Sequence, residues 1–220
     1  MYMYKKQTDF LKCVVFDLDG TLVDTSPGII ESIMFALQEQ NCPNLSQEQL
    51  LSFIGPPLKA SFIRCCGCDD KDAVRLTDTY RKHYRQGALL NAKPYKGIIE
   101  LCEELSNAGI QLAVATSKPQ EFAEQILCHF GFKRYISVIH GADMQGQLSK
   151  ADLIRLCVKG YDLSACVMVG DTEHDAKGAA EAGISFIAVS YGFGNLKEML
   201  NYAHIGLADN PMDILQIIGK

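Results

Sequence analysis

The 220-residue sequence lacks three features that define large classes of proteins. It contains no run of about 18 apolar residues, which excludes a membrane-spanning helix. Basic residues are not in excess, because 21 lysines and arginines stand against 26 aspartates and glutamates, and this balance argues against a nucleic-acid-binding protein. Residues 1–9 include no apolar stretch resembling a signal peptide, so we expect a cytoplasmic protein.

The nine cysteines form no recognisable disulfide framework, because their number is odd and they are scattered along the chain. We therefore expect reduced thiols, which suits the cytoplasm. Cys65, Cys66 and Cys68 lie close together in the sequence, but no second pair of Cys or His follows at the spacing of a zinc finger. This pattern favours buried or half-buried thiols over a metal site.

Short apolar runs without polar alternation indicate strands that are covered on both faces. Five such runs occur, at 13–16, 112–115, 136–139, 167–169 and 186–189. Between them lie segments with the apolar spacing of amphipathic helices, several of which end at a glycine. This alternation predicts an α/β protein built on a Rossmann-like parallel sheet with helices on both faces.

The stretch from residue 26 to residue 92 interrupts this alternation, because it contains helical patterns and no convincing strand. Ser26 is predicted to cap the first of these helices, since a proline follows it. A longer helix is predicted over residues 70–85. We therefore predict an inserted α-helical domain at 26–92 within a core formed by residues 1–25 and 93–220.

Three of the predicted strands end in polar residues that can perform chemistry. The first runs into Asp17-Leu18-Asp19-Gly20-Thr21, the second into Thr116-Ser117-Lys118 and the fourth into Gly170-Asp171-Thr172-Glu173-His174-Asp175. The carboxyl ends of parallel strands lie on one side of the sheet, where ligands of open α/β sheets bind. Each segment alone is typical of a helix N-cap, but together they indicate a single functional site.

Four of these residues, Asp17, Asp19, Asp171 and Asp175, would place carboxylates around one crevice. Like charges that lie so close raise one another's pKa unless a cation neutralises them. Mg²⁺ is a hard cation that takes a few carboxylates and completes its shell with water and phosphate. The strand ends are not rich in histidine or cysteine, the usual ligands of zinc, so the pattern predicts a site for a hard divalent cation such as Mg²⁺.

The same segments resemble the motifs of a known family. Residues 17–24 resemble motif I of the haloacid dehalogenase-like hydrolases, residues 114–119 resemble motif II, and residues 170–175 resemble motif IV, Gly-Asp-x-x-x-Asp. Lys150 stands where motif III places its lysine, although alanine follows it where the family often has proline. The helical insert is similar in position to the family's small α-helical cap. The overall pattern resembles phosphoglycolate-phosphatase-like members, including those labelled 5′-nucleotidases.

This resemblance implies catalytic roles for three residues. Asp17 is expected to be the nucleophile that attacks phosphorus and forms an aspartyl-phosphate. Asp19 is expected to protonate the leaving oxygen and then to activate the hydrolytic water. Lys150 is expected to balance charge between Asp17 and the phosphate, and Lys118 is its rival for this position.

The resemblance also implies a set of metal ligands. Mg²⁺ is expected to bind the side chains of Asp17 and Asp171 and the backbone carbonyl of Asp19. Asp175 is expected to ligate through water or to orient the other ligands. Such a set would provide the positioning and the charge neutralisation that phosphoryl transfer requires.

The function implied is that of a Mg²⁺-dependent phosphatase acting on a small phosphorylated metabolite of the phosphoglycolate, nucleotide or sugar-phosphate type. Thr116 and the backbone N–H of Ser117 are expected to hold the phosphate oxygens. We expect a monomer or weak dimer with no nucleic-acid or membrane partner. Two alternatives stay open: a phosphomutase of the β-phosphoglucomutase kind, which shields the aspartyl-phosphate from water, and a phospho-receiver signalling domain. The acid/base residue Asp19 argues against a dehalogenase.

Overall fold

The computed structural model describes residues 11–143 and 147–219. The segment on which the expectation of no signal peptide rests, 1–9, lies outside the described residues. Across the described ranges, no helix combines the length and the apolar character needed to cross a membrane. All nine cysteines lie within the described residues and are free thiols.

The chain divides into two compact units. One combines Met1–Val23 with Pro94–Lys220, and the other, which we call the helical unit, is Asp24–Lys93. The strands are β1 (Cys13–Phe16), β2 (Val23–Asp24), β3 (Lys93–Pro94), β4 (Gln111–Pro119), β5 (Ile136–Ala142), β6 (Cys166–Gly170), β7 (Ser185–Val189) and β8 (Gly206–Ala208). The helices are α1 (Ser26–Glu39), α2 (Gln47–Leu51), α3 (Leu58–Cys66), α4 (Asp70–Arg85), α5 (Ile98–Asn107), α6 (Gln120–His129), α7 (Lys150–Cys157), α8 (Glu173–Ala182), α9 (Leu196–Met199) and α10 (Asp213–Ile218).

Six parallel strands form the sheet of the first unit, in the order β5-β4-β1-β6-β7-β8. All five predicted strands are present, and the prediction of an α/β fold with a parallel sheet and a helical insert is confirmed. β1 is fully buried because it lies between β4 and β6, which explains its unbroken apolar run. The strand order also reverses at β1, and ligands of such sheets bind at the carboxyl end of that position.

Helices cover both faces of the sheet. On one face, α7 and α8 contribute Leu153 and Ala179 to a buried cluster with Val15 and Met168 of the central strands. On the other face, α5 and α6 contact β4, where Val114 is fully buried. Successive side chains of a strand point to opposite faces, so both faces of the central strands must be apolar to be covered in this way.

The helical unit contains α1–α4, and the strands at its two ends, β2 and β3, pair with each other. α4 has the predicted range and is capped by Asp69, whose side chain accepts a hydrogen bond from the backbone N–H of Asp72 at 2.8 Å. Ser46 and Gln49 form a capping box at the start of α2. These side chains satisfy backbone donors that would otherwise lack partners in the first turn of each helix.

The prediction that Ser26 caps the first helix is wrong. α1 begins at Ser26 itself, and Thr25 occupies the N-cap position without a side-chain capping bond. The carboxylate of Asp24 takes over this role, because its Oδ1 accepts hydrogen bonds from the backbone N–H of Ser26 at 3.0 Å and from its hydroxyl at 2.6 Å. A carboxylate two residues earlier therefore displaces the serine from the cap.

Two leucines of α7 differ in burial and allow a matched test of the core. Leu153 is buried, whereas Leu156 is 41% exposed. We expect Leu153→Ala to lower the free energy of unfolding by about 2–5 kcal/mol, because it removes apolar contacts and leaves a cavity. Leu156→Ala is expected to change it by less than about 0.5 kcal/mol. Urea denaturation measures both, and equal losses would contradict the packing of α7 against the sheet.

Candidate active site

The predicted polar strand ends meet where the strand order of the sheet reverses. β1 lies between β4 and β6, so the residues at the carboxyl ends of these three strands are neighbours. β4 extends further than the apolar run indicated, because it continues through Thr116–Lys118 to Pro119. Its register against β5 shifts between Thr116 and Pro119, and such an irregularity bends a strand and redirects its side chains.

The tight turn at 17–23 follows β1 and presents two aspartates at this edge of the sheet. Backbone hydrogen bonds to the carbonyl of Leu18 close the turn. Gly20 has a φ of +86°, in the left-handed region that favours glycine, and a Cβ there would lie 2.2 Å from Oδ2 of Asp171. The hydroxyl of Thr21 donates to Oδ1 of Asp171 at 3.0 Å. The turn is therefore fitted directly against the end of β6.

A loop after β7 completes the surroundings of Asp171. The backbone N–H of Phe193 donates to Oδ2 of Asp171 at 2.8 Å. A Cβ at Gly192 would lie 2.3 Å from the Cβ of Asp171, and a Cβ at Gly194 would lie 2.0 Å from its carbonyl oxygen. The loop approaches this closely only because both flanking residues are glycine.

Asp175 lies in the first turn of α8, within the capping box that Thr172 heads, and faces the same centre. Its Oδ2 accepts hydrogen bonds from the backbone N–H of Thr172 at 3.0 Å and from its hydroxyl at 2.6 Å, as part of a capping box. Its Oδ1 lies 2.7 Å from the Nζ of Lys150. One carboxylate oxygen of Asp175 therefore stabilises the first turn of α8, and the other contacts the ammonium group of Lys150 in the site.

Lys150 is the first residue of α7 and reaches between two carboxylates. Its Nζ lies 2.7 Å from Oδ1 of Asp17 and 2.7 Å from Oδ1 of Asp175. A capping box headed by Ser149 fixes the first turn of the helix. Gly178 of α8 leaves room for the lysine stem, because a Cβ there would lie 2.8 Å from the Cγ of Lys150. The packing of α7 against α8 therefore places the ammonium group of Lys150 beside Asp17.

Lys118 occupies a different position from Lys150. Its Nζ lies 2.9 Å and 3.1 Å from the two carboxylate oxygens of Asp19. The side chains are 4% and 11% exposed, respectively. The two lysines that the sequence left as rivals are therefore divided between the aspartates of the turn, with Lys150 at Asp17 and Lys118 at Asp19.

The two residues predicted to hold phosphate lie at the end of β4. Thr116 is buried, and its hydroxyl oxygen accepts a hydrogen bond from the backbone N–H of Lys118 at 3.2 Å. Ser117 is exposed. The ladder between β4 and β1 ends at the pair formed by Val114 and Phe16, so both residues lie beyond it, at the same edge as the turn.

The electrostatics of the site are dominated by buried negative charge. Burial raises the pKa of Asp17 and that of Asp171, and repulsion between the neighbouring carboxylates raises both pKa values further. The ammonium group of Lys150 opposes this shift at Asp17. Burial alone would lower the pKa of Lys150, but the carboxylates of Asp17 and Asp175 outweigh it and raise that pKa above its usual value.

Three of these aspartates are close enough to share a metal ion. Asp17, Asp171 and Asp175 are all buried, and each offers a carboxylate oxygen within 4.8 Å of the other two. The donors are hard oxygen atoms, which Mg²⁺ prefers. Their excess negative charge, which Lys150 only partly balances, also favours a divalent cation at this position.

Sequence reasoning missed several contacts around Asp171 and Asp175. The capping box of Thr172 and Asp175 could have been found, since the pair has the spacing of that motif. Glycines at both ends of 192–194 signal a close backbone approach but do not name the residue that is approached. The bond from Thr21 to Asp171 joins residues 150 positions apart, and no local pattern reveals it.

Comparison with known proteins identifies relatives along most of the chain. Residues 14–189 match the haloacid dehalogenase-like hydrolases. A 5′-nucleotidase of Pseudomonas aeruginosa is 40% identical over 189 residues, which cover 84% of this chain and 86% of that protein. Tyrosine-protein kinase PtkA of Mycobacterium tuberculosis is 36% identical over 184 residues, which cover 82% of this chain but only 62% of PtkA. A solved haloacid dehalogenase-like hydrolase from Streptococcus pneumoniae matches with a TM-score of 0.89 and 30% identity, covering 94% of this chain and 98% of the other.

The chain therefore belongs to the haloacid dehalogenase-like hydrolase family, and the resemblance seen in the sequence is confirmed. Further relatives are named as phosphatases. The prediction of an enzyme in the class of phosphoric monoester hydrolases is likewise confirmed.

Asp171 provides a test of the buried negative charge. Its folded-state pKa is raised, first by burial and then by Asp175 and Asp17. A carboxyl group of this kind contributes stability at low pH that is lost as the pH rises through the raised value. We expect Asp171→Asn to raise the free energy of unfolding of EDTA-treated protein, with a gain that grows between about pH 5 and about pH 8.

Urea denaturation at several pH values measures this gain. Asp78→Asn, at an exposed position of α4, is the matched control for the loss of one negative charge. A gain in Asp171→Asn that stays constant with pH, or a loss at every pH, would contradict the electrostatic origin of the effect.

Proposed function

We propose that the chain is a Mg²⁺-dependent phosphatase that hydrolyses a small phosphomonoester through an aspartyl-phosphate on Asp17. The observation that carries this proposal is the set of charges around Asp17. Lys150 lies 2.7 Å from it, and Asp171 and Asp175 lie in the same cluster. A carboxylate that a fixed cation orients, in a site largely closed to water, is suited to act as a nucleophile. Membership of the hydrolase family supports the same role.

The donor set fits Mg²⁺ as the cofactor. We assign the side chains of Asp17 and Asp171 and the backbone carbonyl of Asp19 as ligands. Asp175 orients the site, because its bonds within the capping box hold it in place while it faces Lys150. When bound, Mg²⁺ supplies a Lewis acid that neutralises charge on the transferring phosphoryl group.

The reaction proceeds in two steps at the turn after β1. Asp17 attacks the phosphorus atom, the bond from phosphorus to the ester oxygen breaks, and the phosphoryl group is left on Asp17. Asp19 gives a proton to the departing oxygen. In the second step Asp19 takes a proton from water as the water oxygen attacks phosphorus, and the bond from phosphorus to Asp17 breaks. Inorganic phosphate leaves, Asp17 is again a carboxylate, and Asp19 again carries the proton that the first step requires. Lys150 stays against Asp17 throughout and balances its charge.

Thr116 and the backbone N–H of Ser117 hold the phosphoryl oxygens. The hydroxyl oxygen of Thr116 accepts a bond from the N–H of Lys118, so its own hydrogen is left to be donated to the substrate. Donors that are already in place require no reorganisation when charge develops in the transition state. This supports a role for the end of β4 in binding the phosphate.

The substrate in this proposal is a small phosphomonoester of the phosphoglycolate, nucleotide or sugar-phosphate type. One relative is named a 5′-nucleotidase, and another, from Caulobacter vibrioides and 29% identical, is named a phosphoglycolate phosphatase. The two compact units support the assignment of residues 26–92 as a substrate-selecting cap and of residues 1–25 and 93–220 as the catalytic core. The free thiols support a cytoplasmic location.

Phosphate release from a panel of esters tests the proposal. The panel contains phosphoglycolate, 5′-nucleotides, sugar phosphates and pyrophosphate. We expect Mg²⁺-dependent turnover by the wild type and a loss of at least about 10³-fold in Asp17→Asn, because the amide is a poor nucleophile. Acid quenching with ³²P-labelled substrate is expected to trap label on the wild type and none on Asp17→Asn.

Glu103→Gln removes one carboxylate charge at an exposed position of α5, outside the proposed cap, and is the matched control that is expected to keep full activity. Release of phosphate that survives in Asp17→Asn would overturn the assignment of the nucleophile. Interconversion of sugar phosphates without net phosphate release would identify a phosphomutase. Labelling of Asp17 without turnover of any ester would favour the phospho-receiver alternative.

Thermal unfolding tests the metal site independently of activity. A ligand that binds only the folded protein stabilises it by about 2.7 kcal/mol at one hundred times its dissociation constant. We expect Mg²⁺ to raise the Tm of the wild type, and to have a much smaller effect on Asp171→Asn, which lacks one anionic ligand. Equal Mg²⁺-induced shifts in both proteins would contradict the assignment of Asp171 as a ligand.

A further inference from the structure

Lys118 has no part in the two steps described above, although it is as deeply buried as Lys150. Its Nζ contacts both oxygens of Asp19, at 2.9 Å and 3.1 Å. Contact with two oxygens constrains the rotation of the carboxylate as well as its position. Asp19 is the residue that must point at the ester oxygen in one step and at water in the next, so its orientation decides the proton transfers.

The backbone that carries Lys118 is itself held on both sides. The N–H of Lys118 donates to the hydroxyl oxygen of Thr116 at 3.2 Å. Gly141 of β5 lies so close that a Cβ there would be 2.7 Å from the carbonyl oxygen of Lys118. The side chain of Gln120 accepts a bond from the N–H of Gly141 at 2.5 Å and donates to the carbonyl of Ile139 at 3.1 Å. These contacts fix the backbone at the irregular end of β4 and therefore the position from which the side chain of Lys118 extends.

The energetics of this ion pair point to orientation as its function. Removing two charges from water costs free energy that offsets most of their attraction, so a buried pair adds little net stability. Its geometry, by contrast, is highly defined, because both side chains are enclosed at the same edge as the catalytic turn. A pair of this kind is better suited to holding a carboxylate in one direction than to stabilising the fold.

We propose that Lys118 is a positioning residue that holds Asp19 in the direction required for proton transfer, and that it acts on the ester through Asp19. The proposal rests on the proposed function, since it needs Asp19 as the acid and base. It differs from a role in phosphate binding, in which Lys118 would contact the transferred group itself.

The leaving group of the ester separates these roles. An alkyl phosphate releases a strongly basic oxygen, which must receive a proton from Asp19 as the bond to phosphorus breaks. In p-nitrophenyl phosphate, the phenolate leaves without a proton. The ratio kcat/KM reports the steps up to departure of this group, so only the alkyl ester reveals a misplaced acid. The phosphoryl group is common to both substrates and cannot cause a difference between them.

Lys118→Met removes the charge but keeps the length of the buried stem. We expect it to lower kcat/KM for an alkyl phosphate by about 10²-fold, at the lower end of the range for general acids, and to change kcat/KM for p-nitrophenyl phosphate by less than about threefold. Hydrolysis of the aspartyl-phosphate still needs Asp19 as a base, so p-nitrophenyl phosphate is expected to give a burst of phenolate followed by slow turnover. Asp19→Asn is expected to show the same pattern.

Lys118→Arg and Lys177→Met complete the set. An arginine can contact both oxygens of a carboxylate, so Lys118→Arg is expected to restore most of the activity toward the alkyl ester. Lys177 is 57% exposed on α8, and Lys177→Met is the matched control that is expected to leave both substrates unaffected. Circular dichroism establishes that each variant is folded.

Equal losses with both esters in Lys118→Met would overturn the proposal, because they would indicate phosphate binding or a structural role. If Lys118→Met does not fold, Lys118→Arg decides the test. A folded Lys118→Arg that lacks most of the wild-type activity toward the alkyl phosphate would overturn the proposal as well. Failure of the proposed function has a different signature. In that case the wild type releases no phosphate from either ester, or Asp17→Asn retains the wild-type rate.

Discussion

The repulsion between four aspartates at one edge of a parallel sheet is the constraint on which the rest of the structure depends. The strand order reverses at β1, and this topology brings the ends of β1, β4 and β6 together. Carboxylates placed there are removed from water, so burial and mutual repulsion raise the pKa of Asp17 and of Asp171. The surrounding elements place two lysine ammonium groups and a backbone N–H against these carboxylates, and these groups offset part of the repulsion.

The carboxylates are held by charged and backbone groups that come from several separate parts of the chain. Lys150 reaches Asp17 and Asp175 from the start of α7, while Lys118 reaches Asp19 from the irregular end of β4. Asp171 receives a backbone N–H from the loop after β7. Because these supports arrive from separate elements, the site is complete only when α7, the end of β4 and the loop after β7 are packed around β1 and β6. The stability of the fold and the geometry of the site are therefore linked.

The sequence predicted five of the six strands of the sheet, including the edge strand β5, and missed the other edge strand, β8, for a physical reason. A central strand such as β1 is covered on both faces and must be an unbroken apolar run. β8 has only three residues, and Leu207 within it is 38% exposed, so it has neither the length nor the pattern of a buried strand. The start of α1 was misplaced because a serine before a proline is the commoner cap, and only the structure shows Asp24 in that role.

For the candidate site, the residues that follow strands were predictable, but their partners were not. The sequence brought the aspartates to one edge through topology alone. It left Lys118 and Lys150 as rivals because the choice depends on a shift of register in β4 and on the gap that Gly178 leaves for the lysine stem. Such features arise from packing between elements that are distant in the chain, and local patterns do not encode them.

The pairing of β2 with β3 has a consequence for how the chain folds. Cys13 of β1 aligns with Gln111 of β4, roughly a hundred positions later, and such long-range pairing slows folding because a large loop must close first. β2 and β3 lie at the two ends of the helical unit and pair with each other, so this pairing closes the intervening chain into a loop of its own. Once that loop is closed, the effective loop between β1 and β4 is only a few tens of residues long, in the range of an ordinary crossover connection. The inserted unit thus adds residues between β1 and β4, but it raises the entropic cost of pairing these two strands by much less than its length would indicate.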